Sequence, residues 1–279
     1  MDIGDYCNQP RPLKEIPVVP VLPTVKDALD YNMCHANRGY CLIIENENFS
    51  KEHLATKGLS RRYGSEVDSQ QLTQTFEMLG FYTVLKKDST LNELFLTLKQ
   101  FAAVDHSEND CFVCIVLTHG EHGKLYARDG RYPIDNLFQY FLGTSCPSLV
   151  GKPKLFFIQA CQGSRLDPGV IVQDSNDTAA FYKIPTYADF MIAYSTIPGF
   201  YSFRNTEKGC WFIRALVQTL QQYHQDYDIL TLMTIVCQRV AYDYSSRAVL
   251  PEMSHMKQVP CITSMLTRRV FLFPKSISL

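Results

Sequence analysis

Two runs constrain this chain more than any other part of it: Cys111-Phe112-Val113-Cys114-Ile115-Val116-Leu117 and Lys154-Leu155-Phe156-Phe157-Ile158. Each is short and apolar, without the alternation of a half-exposed strand, and reads as a buried strand. The segments around them alternate in type. Residues 40–44 (YCLII) are a strand; Leu72, Phe76 and Leu79 mark one face of a helix that stops at Gly80. Residues 81–85 are the next strand, and Leu91, Leu94, Phe95, Leu98 and Phe101 give the apolar side of a second helix. A turn near Asp129-Gly130 leads to a helix over residues 133–142, then the run at 154–158. Residues 190–194 are a strand, 209–224 and 228–244 are helices, and a last strand runs from Cys261-Ile262 through Phe273. Strands alternating with helices predict an α/β fold with a mostly parallel sheet.

Composition narrows the classes. The chain has 279 residues, 46% of them hydrophobic, enough for one large core or two small ones. Its 27 basic and 28 acidic residues leave a net charge of −1, which gives no electrostatic case for nucleic acid or an anionic membrane. No apolar run approaches the ~20 residues needed to span a bilayer. The acidic start Met1-Asp2-Ile3-Gly4-Asp5 has no signal-peptide core, so a cytoplasmic protein is expected. Residues 1 to about 30 carry Pro10, Pro12, Pro17, Pro20 and Pro23 and read as a tail. Ten scattered cysteines read as free thiols in a reducing compartment. Cys111-x-x-Cys114 lies on a predicted strand, where residues three apart point to opposite faces, and no second pair completes a zinc site.

The chemistry gathers where the two runs end. One continues into Thr118-His119-Gly120, the other into Gln159-Ala160-Cys161-Gln162-Gly163. If the strands are parallel neighbours, a thiol and an imidazole meet at their carboxyl ends, where open α/β sheets keep their sites. A lone cysteine or histidine in such surroundings reads as structural; two strand ends, each supplying half a dyad beside a glycine, do not. A free thiol is only a few per cent ionised at neutral pH, and an imidazole beside it takes its proton. Gly120 lets backbone approach a substrate, and its N–H with that of Cys161 forms a candidate oxyanion site. The pattern His119-x-x-His122 lacks the helical H-E-x-x-H arrangement of a metal pair. The predicted chemistry is thiolate attack on an acyl carbon.

Gln159-Ala160-Cys161-Gln162-Gly163 fits the caspase cysteine signature, with a histidine 42 residues upstream. Collinear likeness continues through Gly151-Lys152-Pro153-Lys154-Leu155-Phe156, Tyr194-Ser195-Thr196-Ile197-Pro198-Gly199, Tyr201-Ser202-Phe203-Arg204-Asn205 and Gln258-Val259-Pro260-Cys261-Ile262. Over residues 38–273 the chain resembles effector (executioner) caspases, and residues 228–241 are most similar to insect ones.

That resemblance implies a six-stranded, mostly parallel sheet flanked by helices, and cleavage after aspartate by Cys161 and His119. It places the acidic pocket on Arg62, Gln159 and Arg204, choosing Arg62 over Arg61 by the spacing Arg-x-Gly-x-x-Val-Asp. It sets the Ser60 carbonyl against the imidazole. Tyr201 and Phe203 fall on the aromatic wall of the second pocket, Asn205 and Trp211 on the fourth, and Ser202 is a further substrate-binding position. Two departures stand out. Thr118 replaces the usual Ser, and residues 241–256 offer Tyr242, Tyr244, Arg247 and Val249 where effector caspases carry phenylalanines.

The resemblance further implies a zymogen with a propeptide over 1–30, a large subunit over 31–177 with its activation linker from about 164, and a small subunit over 178–279. Polar, turn-forming residues over 163–180 predict a mobile surface segment. Asp177 before Thr178 is the expected cut there, Asp174 before Ser175 its competitor, and Asp27 before Ala28 the cut that frees the tail, in preference to Asp30. The implied partners are protein substrates with Asp before the scissile bond, a second copy forming a homodimer, an upstream initiator caspase, and inhibitor-of-apoptosis-type proteins. No metal or organic cofactor is implied. Two rivals remain: a catalytically weak homologue acting as dimerisation partner or decoy, and a related clan member such as a metacaspase or legumain.

Overall fold

The computed structural model describes residue 24 and residues 27–163, 187–205, 207–246 and 254–275. In chain order its elements are β1 (Tyr40–Glu45), α1 (Ser65–Met78), β2 (Tyr82–Lys87), α2 (Leu91–Ala102), β3 (Phe112–Leu117), β4 (Gly120–Glu121), β5 (Lys124–Tyr126) and β6 (Arg131–Pro133). There follow α3 (Asp135–Phe138), β7 (Lys154–Gln159), β8 (Phe190–Tyr194), β9 (Arg204–Asn205), β10 (Gly209–Cys210), α4 (Trp211–Tyr223), α5 (Ile229–Asp243) and β11 (Cys261–Ser264). The main sheet has six strands in the order β11-β8-β7-β3-β1-β2. All its pairings are parallel except that of β8 with β11.

β3 and β7 are buried at every position because alternate residues feed two different cores. Val113, Ile115, Leu155 and Phe157 pack towards α1, α4 and α5, against Leu72, Phe76, Phe212 and Val236. Phe112, Cys114, Phe156 and Ile158 pack towards α2 and α3, against Leu94, Leu98 and Phe138. Each large side chain so buried contributes about 1.5–3 kcal/mol. Cys111 belongs to the first core and Cys114 to the second, so the C-x-x-C thiols never face one another.

Local chemistry sets the element ends. Thr90 and Glu93 form a reciprocal capping box at the start of α2. Asp228 accepts the Leu230 N–H to cap α5. Gly80, at φ +86°, lets the chain leave α1 and enter β2.

Two sequence expectations need correction. The helix over 133–142 is only the single turn α3, followed by a 3-10 turn at Gln139–Phe141. The last strand ends at Ser264. Beyond it, Val270 and Leu272 are buried, but their segment bonds outside the sheet: Val270 O accepts from the N–H of Ile229 at the start of α5, and Arg269 N donates to Leu29 O. The small antiparallel sheet β4-β5-β6 was not foreseen.

Candidate active site

Leu117 and Gln159 are register partners at the carboxyl ends of β3 and β7. The chain beyond each is therefore delivered to the same mouth, and His119 and Cys161 line one cleft of about 710 Å3. Thr118 fixes the first end: its N–H donates to Gln159 O at 3.1 Å and its hydroxyl to Tyr126 O at 2.6 Å. The Tyr126 N–H donates to His119 O, which makes Gly120 and Leu125 a non-hydrogen-bonded pair of the β4–β5 ladder. That ladder leaves the Gly120 N–H unused. A Cβ on Gly120 would fall under 3.0 Å from the Cys161 carbonyl oxygen, so only glycine permits this approach. Gly163 is held equally close to the backbone of Gly199.

His119 Nε2 lies 2.8 Å from the Ser60 carbonyl oxygen. A carbonyl only accepts, so Nε2 carries the proton and Nδ1 of the neutral ring is an acceptor. Phe49 packs on the ring at 4.9 Å between centroids. Burial drives the imidazole pKa down to about 4; the Ser60 bond opposes this, while Arg62 and Arg204 reinforce it. Burial likewise pushes the Cys161 thiol up, opposed by the Ser202 N–H and the same two arginines. The resting pair is thus a thiol and a neutral imidazole. Among the described hydrogen bonds, Cys161 Sγ receives the Ser202 N–H at 3.4 Å and points to Ser202 O at 3.8 Å rather than to the ring.

Arg62, Gln159 and Arg204 line the same cleft. Arg62 is buried and donates to Asn46 O at 3.1 Å and Ser65 Oγ at 2.8 Å. Arg61 turns outward to Glu47. Gln159 Nε2 donates to Ser202 Oγ at 2.7 Å. Among the described residues, Gln159 Oε1 and Arg204 Nη1 are buried without a hydrogen-bond partner. Unpaired buried donors on a guanidinium are costly unless a ligand meets them, and a carboxylate fits that fork.

The outer positions separate. Tyr201, Ser202 and Phe203 line the cleft. Phe203 stacks on Trp211 at 4.8 Å, and Trp211 stacks on Tyr244 at 5.5 Å. Asn205 Oδ1 instead accepts from the Glu207 and Lys208 N–H groups and closes the β9–β10 turn. Asp27 is exposed. Asp174, Asp177, Arg247 and Val249 lie outside the described residues.

The Caspase domain profile matches residues 38–271. The chain belongs to the caspase family. It is 45% identical to Caspase-1 of Drosophila melanogaster over 271 residues, covering 95% of this chain and 82% of that protein. It is 48% identical to Caspase drICE of the same species over 251 residues, covering 88% and 73%. The crystal structure of Caspase-1 from Spodoptera frugiperda superposes with a TM-score of 0.85 at 45% identity, covering 93% of this chain and 99% of that one. This caspase is an aspartate-specific cysteine endopeptidase of the effector type, made as a zymogen and acting in apoptosis. Like its family it acts on protein substrates and is assembled from subunits.

Three residues at or behind the caspase cleft escaped sequence reasoning. Cys210 lines the cleft, although the sequence reads it with the other scattered cysteines as a small core hydrophobe. Asp68 accepts the Cys210 N–H at 2.8 Å. Gln258 accepts the Phe203 N–H at 2.7 Å and donates to Ser195 O at 2.7 Å, tying the cleft-lining segment 201–203 to the end of β8. Asp68 and Gln258 stood inside quoted motifs, the only signal they gave.

Proposed function

We propose that Cys161 and His119 cleave the amide bond after an aspartate held by Arg62, Gln159 and Arg204. As sulfur attacks the carbonyl carbon, Nδ1 of His119 takes the thiol proton. The carbonyl π pair moves to oxygen, and the Gly120 and Cys161 N–H groups stabilise the oxyanion, each by about 2.7–4 kcal/mol. The oxyanion collapses, the C–N bond breaks, and His119 protonates the leaving amine, giving a thioester. Water then attacks the thioester as His119 takes its proton; the C–S bond breaks and His119 passes that proton to the departing sulfur, restoring the thiol and the neutral ring.

One observation carries this reading: sulfur, imidazole and both guanidinium groups share a single cleft. A decoy gains nothing from keeping them together, and the cationic pocket repels the basic side chains that a metacaspase or legumain would take. Tyr201 and Phe203 wall the second pocket, Ser202 between them contacts the substrate, and Asn205 and Trp211 form the fourth pocket, Asn205 from the β9–β10 turn that its side chain closes.

The large subunit ends at Asp177, with Asp174 as the competing cut, and the small subunit begins at Thr178. The propeptide is released after Asp27. Asp27 is exposed, whereas Asp30 is paired to Arg269 at 2.6 Å and the following Tyr31 is buried. β11 is an edge strand with one neighbour, which supports homodimerisation through that edge. An initiator caspase and inhibitor-of-apoptosis-type proteins are the expected regulators. All nine described cysteines are free, which fits a cytoplasmic setting. No helix among the described residues is long and apolar enough to cross a membrane.

The test is direct. Processed protein should hydrolyse an Asp-terminated peptide amide and not its Asn counterpart, with mass spectrometry placing the new termini after Asp177 and Asp27. Equal turnover of the two peptides would refute the pocket, and other termini the cuts.

A further inference from the structure

Asp68 is fully buried in the first turn of α1, near enough to Arg62 and Arg204 for their charges to act on its carboxyl. Its Oδ1 accepts the Cys210 N–H at 2.8 Å, and Cys210 is the register partner of Arg204 across β10 and β9. Gly209, at φ +84°, leaves no room for a side chain: a Cβ there would meet the Asp68 carboxylate oxygen under 3.0 Å. On its own side, Asp68 stands three residues after Ser65, whose hydroxyl receives Arg62 Nη1 at 2.8 Å. Its Oδ2 is buried with no hydrogen-bond partner among the described residues. Burial raises the carboxyl's pKa, the Cys210 bonds oppose that, and so do the charges of Arg62 and Arg204. A carboxylate is also favoured at this end of a helix.

We propose that Asp68 is a positioning residue of the aspartate pocket. It ties the hairpin that carries Arg204 to the helix whose approach carries Arg62, so it sets the spacing of the two guanidinium groups. Its charge offsets their mutual repulsion until a substrate carboxylate arrives. The tie joins residues on either side of the activation linker and does not depend on the linker being intact. This rests on the assignment of Arg62, Gln159 and Arg204 to the pocket. Asp68 touches neither sulfur, imidazole nor the Gly120 N–H. Its loss therefore weakens substrate binding in the ground and transition states alike, which raises KM and spares kcat.

The experiment uses processed enzyme, its active sites counted with saturating aspartyl fluoromethyl ketone. Asp68→Ala should raise KM for an Asp-terminated tetrapeptide amide about tenfold, with kcat within about threefold. Asp68→Asn keeps an acceptor for the Cys210 N–H and should raise KM about threefold. Preference for Asp over Glu at the cut should fall in both. A parent KM at the counted sites of both variants, or of Asp68→Asn when Asp68→Ala does not fold, overturns the proposal. Arg62→Lys and Arg204→Lys are measured alongside. If these also leave KM and the Asp preference unchanged, the pocket assignment has failed; if they raise KM while the Asp68 variants do not, only the role of Asp68 has failed.

Discussion

His119 and Ser60 are joined by a 2.8 Å contact between Nε2 and a backbone carbonyl oxygen, and that contact fixes which ring nitrogen can serve the sulfur. No third side chain is needed to set the tautomer. His119→Ala should therefore lower kcat by about 10²–10⁴-fold with little change in KM, since the ring acts on the reacting atoms and not on the bound aspartate. Cys161→Ala should abolish turnover. Steady-state kinetics on processed protein decide both, and a His119→Ala effect confined to KM would contradict the assigned role.

The same ring predicts a pH-dependent stability. Burial holds its folded pKa at about 4, against an ordinary 6.5. Between those values the unfolded chain binds the proton and the folded chain does not, so stability falls as pH drops. The loss begins below about pH 6.5 and is complete below about 4. In a Cys161→Ala background, adding His119→Gln should reduce the stability lost between those pH values. Urea midpoints measured at both ends of the window check this; identical losses with and without the histidine would count against it.

Gly120 and Gly163 are held by sterics rather than by a left-handed φ. A Cβ at either would lie under 3.0 Å from backbone, at Cys161 O and at Gly199 respectively. Backbone on both sides cannot yield without moving the nucleophile. Gly120→Ala and Gly163→Ala should each cut kcat/KM by about 10²-fold, the scale of a lost oxyanion donor. Gly58→Ala, whose Cβ would meet nothing within 4 Å, is the control and should change nothing.

Far from the cleft, Asp110 is fully buried and gathers two cations and a histidine ring. Arg38 Nη1 lies at 2.9 Å, Lys275 Nζ at 2.6 Å and His35 Nδ1 at 3.1 Å. Arg38 also donates to Phe273 O, so the cluster fastens the C-terminal segment to the start of the domain. Removing the carboxylate leaves a buried guanidinium uncompensated. Asp110→Ala should lower unfolding free energy by about 3–5 kcal/mol. The variant should keep parent kcat/KM wherever it is folded, and a stability loss below 1 kcal/mol would mean that water or chain shifts replace the carboxylate.

Sequence alone made the sheet and the dyad legible because both rest on strong local signals. β3 and β7 are unbroken apolar runs, and each functional residue follows one directly. Short-range signals failed where structure depends on distant partners. β4, β5 and β6 have two or three residues each, too few to show a period. The alternation of Val270 and Leu272 with exposed Phe273 mimics a strand, yet its backbone partners are Leu29 and Ile229 at the start of α5, outside the sheet. Cys210 looked like core because its meaning comes from Asp68, 142 residues away. Pocket arginines were legible only through family motifs; nothing in their neighbours marks Arg62 as buried and Arg61 as exposed.

At the proposed fourth pocket, two neighbouring tyrosines differ sharply. Tyr244 extends the Phe203–Trp211 stack, with ring centroids 5.5 Å from Trp211, and the Arg214 guanidinium lies 5.4 Å from its ring centre. Tyr242 is 78% exposed and takes no part in the stack. Such a ring pair contributes about 0.5–1.5 kcal/mol beyond its buried area. Tyr244→Ala frees Trp211 to tilt and enlarges the space that a fourth-position side chain would meet. It should shift fourth-position preference towards larger side chains, with kcat/KM for the parent's best tetrapeptide down about three- to tenfold. Tyr242→Ala should leave the profile unchanged. A positional-scanning peptide library on the two processed variants reads this directly. An altered profile for Tyr242→Ala with a parent profile for Tyr244→Ala would assign the pocket to the outer tyrosine instead.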